Sequence, residues 1–163
     1  METKIPFYNI LNMLLTGFIF VGCCIFIYIN TFLHLLISNA FPKISFGSET
    51  IITISFFSVI YEIGYIINRI GSIVTEPILK KTKAIPFDND YKKFNDCKKQ
   101  YPILSTLSRE YALSRTTLTL FLITTVLAAF QKQWILALIF ILIAVLFSLS
   151  CRKHAKKIVD IMK

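Results

Sequence analysis

The chain has 163 residues, 55% of them hydrophobic and 17% charged, with a formal net charge of +9. Soluble domains average about 45–50% apolar and about 25% charged residues, so this composition excludes an ordinary soluble fold. Gly and Pro number only 5 each against 15 Phe and 7 Tyr, which favours long helices over a loop-rich architecture.

A helix crosses about 30 Å of hydrocarbon with roughly 20 mostly apolar residues. The first segment to qualify is about Ile10 to Ile29. It is expected to be an uncleaved span: its n-region holds Lys4 against Glu2, and its apolar run outlasts a signal-peptide core. "FVGC" (Phe20 to Cys23) is only a loose lipoprotein box, and the run continues beyond it as "CIFIYI". Asn30 and His34, four residues apart near the outer end, read as a hydrogen-bonded or solvated pair.

The second span, about Ile51 to Ile70, contains Glu62. About ten Ile, Phe and Val residues at roughly −0.3 to −0.6 kcal/mol each offset a carboxylate costing roughly 2.5–3.5 kcal/mol. Beyond it, residues 71–114 are too long for a structureless connection. Asp88 can cap a short helix over "NDYKKFNDCKKQ", where Tyr91, Phe94 and Tyr101 form an apolar stripe among lysines. Pro102 suits the first turn of a helix running through "PILSTLSREYALSR" into the third span, about Leu113 to Phe130. That span is rich in Thr, whose hydroxyls suit helix packing.

"FQKQW" leaves room only for a tight hairpin before the fourth span, about Trp134 to Ser150. The tail "CRKHAKKIVDIMK" reads as a basic amphipathic helix on an anionic membrane surface. The predicted fold is therefore an all-α integral membrane protein with four transmembrane helices. Residues 1–70 hold spans one and two, 71–114 a cytoplasmic helical stalk and cap, 115–150 the second hairpin and 151–163 the basic tail. Spans two and three lengthen into the stalk. Lys and Arg crowd the segments after spans two and four, while the opposite side holds only Lys43 and Lys132. The positive-inside rule then places both termini and the middle segment in the cytoplasm of an inner membrane.

Glu62, Arg69 and Glu76 are seven residues apart and fall along one face of a regular helix, roughly 10.5 Å apart. Their partners are expected on another helix, with Arg109, Glu110 and Arg115 of "SREYALSR" at a matching level. Gly64, Asn68, Gly71 and Ser72 near the same side mark close packing. Glu62, the deepest acid, is the functional candidate, expected to face the bundle interior or an oligomer axis. Tyr91, Lys92, Lys93 and Phe94 are the candidate surface for a soluble partner.

No nucleophile elbow, zinc motif, phosphate loop or paired intramembrane aspartates occur, so neither an enzyme nor a cofactor is expected. Cys23, Cys24, Cys97 and Cys151 lack metal-ligand spacing, and no direct nucleic-acid binding is expected.

"GYIINRIGSIVTEPILKK" (Gly64 to Lys81) followed by "LSREYALSRT" (Leu107 to Thr116) resembles a pattern of small bacterial inner-membrane proteins. The four-span layout is similar in plan to membrane components of antiphage systems, including the membrane subunit of Kiwa-type defence. The resemblance implies a context and assigns no residue a role. Two functions are expected to compete: an oligomeric sensor or effector subunit that recruits a cytoplasmic partner, and a small homo-oligomeric channel or proton-coupled transporter using Glu62.

Overall fold

The computed structural model describes residues 7–29, 46–87 and 91–162, and among them every regular element is helical. Helix α1 covers Phe7–Ile27 and α2 Phe46–Ile70. A π-helical segment, Gly71–Thr75, leads into α3 (Glu76–Lys81), followed by α4 (Tyr91–Gln100), α5 (Ile103–Phe130) and α6 (Trp134–Met162). Four helices are long and apolar enough to cross a membrane: Phe7–Ile27, Glu49–Lys81, Ile103–Phe130 and Trp134–Met162. This is an integral membrane protein by length and composition. Asp88, Asn30, His34 and Lys43 lie outside the described residues.

Helix α5 is central. It pairs most extensively with α6, while α1 and α2 pair with each other and both reach α5. Its buried side chains run from Leu104 to Ala128, including Thr116, Thr117, Thr119 and Thr124. Thr hydroxyls can enter this interface because each bonds the preceding turn, as Thr119 does to the Arg115 carbonyl at 2.9 Å. The outward faces are apolar, with Phe26, Ile51, Ile135 and Leu146 all exposed on the single chain, as a lipid-facing surface requires.

The helix that begins as α2 continues to Lys81 despite Pro77, and the π-helical turn explains how. Proline lacks an N–H, and its ring crowds the carbonyl four residues back, here that of Ile73. Widening the turn just before it relieves that clash, and the Glu76 N–H instead reaches back five residues to the Gly71 carbonyl. The extra residue also resets the helix face. Buried positions run Ile60, Gly64, Ile67 and Gly71, then Thr75 and Leu79, whereas an unbroken α-helix would have buried Val74 and Ile78, which are exposed.

The basic tail differs from its predicted form. No Gly or Pro separates Ser150 from Met162, so α6 continues straight through it instead of starting a separate surface helix. Its apolar face is covered by protein: Cys151, Ala155 and Ile158 join the cluster that holds Leu104, Leu107 and Tyr111. Phe94 and Cys97 of α4 pack on that cluster too. After α3, Lys83 takes a left-handed conformation (φ 55°) that turns the chain back. Ile85 is then buried, and the Phe87 ring meets Tyr111 edge-on at 4.9 Å. At the other end of the bundle, the turn after α5 uses Lys132 at φ 59°. Gln133 there donates its Nε2 to the Ile27 carbonyl at 2.7 Å, satisfying an orphan acceptor at the end of α1.

Candidate functional site

Close backbone contact sets the α1–α2 crossing. A Cβ on Gly64 would run into the Met13 carbonyl oxygen, and one on Gly17 into the Ile60 carbonyl oxygen. Two glycines, one from each helix, therefore let the backbones touch. Gly71 makes room for side chains of α5 instead, where an added Cβ would meet Thr119 Oγ1 at 3.0 Å.

A polar network sits just beyond this crossing. Arg115 of α5 forms an ion pair with Glu76, and its Nη2 donates to Asn68 Oδ1 at 3.3 Å. Thr116 Oγ1 lies 2.8 Å from the same Asn68 oxygen and 2.8 Å from the Ala112 carbonyl, so its single proton is shared between two acceptors. Thr75 and Thr119 hydroxyls meet at 2.8 Å, and Ser114 joins Ser150 of α6 at 2.9 Å. Lys80 completes the cluster at 3.0 Å from Glu76. Side chains of Arg115 and Glu76 are only 11% and 16% exposed, so this ion pair is largely withdrawn from water. It ties α5 to α3 across the π-helical turn.

The six predicted charged positions do not form one network. Glu76 is rotated away from the line of Glu62 and Arg69 because the π-helical turn inserts a residue between them, worth roughly 100° of rotation. Glu76 thus turns in to Arg115, while Arg69 stays exposed and bonds Tyr65 Oη through Nε (2.9 Å) and Nη2 (2.6 Å). Arg69 does not reach Glu110. That carboxylate lies 3.2 Å from His154 Nδ1 of α6 instead, an ion pair only when the imidazole is protonated. Arg109 donates to the Ser105 carbonyl and stacks over the Tyr8 ring at 5.4 Å.

Glu62 faces outward on the single chain, not into its interior. Gly64 takes the buried face, and a residue two positions away points roughly 200° around the helix. Glu62 shares its exposed side with Ile66 and Arg69. Asn68 and Gly71 lie at contacts with α5, and Ser72 is half-buried beside them. On α4, Lys92 and Lys93 are exposed, but Phe94 packs on the core and is not a free contact residue. The Tyr91 side chain is outside what is described.

A cleft of about 250 Å³ opens beside the network, between α1, α2 and α5. Its walls carry Asn9, Asn12 and Thr16 from α1, Asn68 from α2, and Ser108, Arg109, Arg115 and Thr116 from α5. Asn9, Asn12 and Thr16 are absent from the sequence-predicted site. Their spacing of three and four on an otherwise apolar span places them on one helix face, and this was the available signal. Among the described residues, no group of His, Cys, Asp and Glu is arranged to hold a metal ion. No protein-family model, no curated protein and no solved structure matches this chain.

Proposed function

We propose that the chain is a non-catalytic, homo-oligomeric subunit of a bacterial inner membrane that couples the bilayer to a soluble cytoplasmic partner. The observation that carries this reading is length. The Glu49–Lys81, Ile103–Phe130 and Trp134–Met162 helices contain 33, 28 and 29 residues, well beyond the roughly 20 that a span requires. Their surplus lies at one end of the bundle, where α3 ends and α4 packs on α5 and the end of α6, a layer whose outer face carries Lys92 and Lys93. Positive-inside orientation makes that layer cytoplasmic. The similarity in plan to membrane components of antiphage systems supports a partner in such a defence.

Purification of the full chain from its native host in mild detergent, with mass determination of the complex, tests the coupling. A multimer carrying a soluble protein at fixed stoichiometry is expected, with Lys92→Glu/Lys93→Glu losing the companion and keeping the multimer. A single copy with no companion would overturn the reading.

One observation favours a second reading, a small homo-oligomeric channel or proton-coupled transporter. Glu62 is exposed within the membrane-crossing part of α2, and a carboxylate there is costly against lipid. A neighbouring copy packed on this face would shield it. In proteoliposomes under a proton gradient, this reading expects proton entry that Glu62→Gln abolishes. Equal flux from wild type, the Gln variant and empty vesicles would remove it.

A further inference from the structure

The coupling role leaves the cleft between α1, α2 and α5 unused. Its described lining includes no Asp or Glu. Of its two guanidinium groups, that of Arg115 is already engaged by Glu76 and Asn68, so it serves as wall. Arg109 is different. Its Nε donates to the Ser105 carbonyl at 3.2 Å and its Nη2 lies 3.4 Å from Thr106 Oγ1, but no carboxylate among the described residues pairs with it. The Arg109 Cζ also lies 5.4 Å from the Tyr8 ring centroid, a cation–π contact that brings no counter-charge.

Amide donors of Asn9 and Asn12 and the Ser108 hydroxyl share the cleft with this cation, which no carboxylate among the described residues pairs with. Asn9 and Asn12 occupy the first turns of α1, at the end of the bundle opposite the Gln133–Ile27 contact. That is the end bearing α3 and α4, which the positive-inside rule assigns to the inner membrane surface. The volume lies below the roughly 300–1,000 Å³ of sites for drug-sized molecules, and suits a small polar group with the rest of its molecule outside.

We infer that this cleft binds a phosphate group, through the Arg109 guanidinium and the amides of Asn9 and Asn12. A guanidinium presents paired N–H donors that match two phosphate oxygens, and basic pockets between spanning helices at this level suit lipid headgroups. The source is either the headgroup of an inner-leaflet phospholipid or free phosphate. The inference rests on the membrane-spanning reading but not on the soluble partner, so a chain with no companion protein could still bind phosphate here.

The test uses the full chain in a nonionic detergent, with thermal melting and native mass spectrometry. Three probes are titrated: short-chain phosphatidylglycerol, diacylglycerol of the same chain length, and inorganic phosphate. Phosphatidylglycerol is expected to raise the melting midpoint saturably, and diacylglycerol to leave it unchanged. Arg109→Gln should weaken apparent affinity about tenfold, as loss of a charge-assisted hydrogen bond requires. Asn12→Leu, on the opposite wall, should weaken it in the same direction and provides a second variant should the first misfold. Lys153→Gln, an exposed cation elsewhere, should change nothing. A saturable response to inorganic phosphate, lost in Arg109→Gln, would assign the site to free phosphate, and a response to the lipid alone would assign it to the headgroup. The inference is overturned if diacylglycerol acts equally, if Lys153→Gln weakens binding as much as Arg109→Gln, or if no phosphate source gives a saturable shift.

Discussion

Gly64→Ala is expected to push α1 off α2 and destabilise the chain by ~3 kcal/mol, at or beyond the upper end of ordinary overpacking. The new methyl would meet a backbone carbonyl, that of Met13, and a backbone cannot swing aside as a side-chain end can. Gly17→Ala should act similarly through the Ile60 carbonyl. Gly22 is the control. A Cβ there meets nothing within 4 Å, so Gly22→Ala should be neutral or stabilising by up to about 1 kcal/mol, the ordinary helix preference of Ala over Gly. Thermal unfolding of the three variants in one detergent checks the order. Gly64→Ala melting with the wild type would mean that the helices do not touch as described.

Breaking the Arg115–Glu76 pair by Glu76→Leu should cost about 3–5 kcal/mol, because it leaves a largely buried guanidinium without its carboxylate, and Arg115→Met should cost less, because Lys80 still pairs with Glu76. Arg115→Met would strand Glu76 with only Lys80, and Glu76→Leu would strand Arg115 against the Asn68 amide oxygen. The double variant Arg115→Met/Glu76→Leu is expected to recover most of the loss, since apolar side chains of similar volume avoid the desolvation cost altogether. Unfolding measured across this cycle gives the coupling energy. Additive single effects would place the two charges in solvent. The same double variant would show whether the pair also serves coupling, if it folds but loses the soluble companion.

Hydrophobic run lengths alone reveal the four spanning helices, because a bilayer demands about 20 apolar residues whatever their neighbours do. Helix α5 was equally legible as one rod from Ile103 to Phe130, since Pro102 starts it and no breaker follows. What periodicity could not reveal is the change of face within the second helix. Glu62, Arg69 and Glu76 share a line only on a regular α-helix, and the π-helical turn ahead of Pro77 moves the last one inward. The resulting Arg115–Glu76 contact was within the predicted set of charges, but Arg69 and Glu110 fell to other neighbours: Tyr65 on the same helix and His154 on α6. His154 was hidden because the tail reads as a surface helix by composition, yet α6 carries it back against α5. The cleft was missed for a similar reason. Asn9 and Asn12 acquire meaning only when α1 is laid beside Arg109.

A chain that crosses the membrane four times with its α3–α4 layer on the cytoplasmic side exposes the α5–α6 turn on the opposite face. Maleimide labelling of intact and permeabilised cells distinguishes the two faces, using Lys132→Cys in a background whose four native cysteines are replaced, and a second variant retaining only Cys97. Lys132 is exposed in the turn between α5 and α6, and Cys97 lies on α4, so one probe marks each end of the bundle. A membrane-impermeant maleimide is expected to label position 132 in intact cells and Cys97 only after permeabilisation. Labelling of Cys97 in intact cells, with position 132 protected, would place the α3–α4 layer on the other side of the membrane.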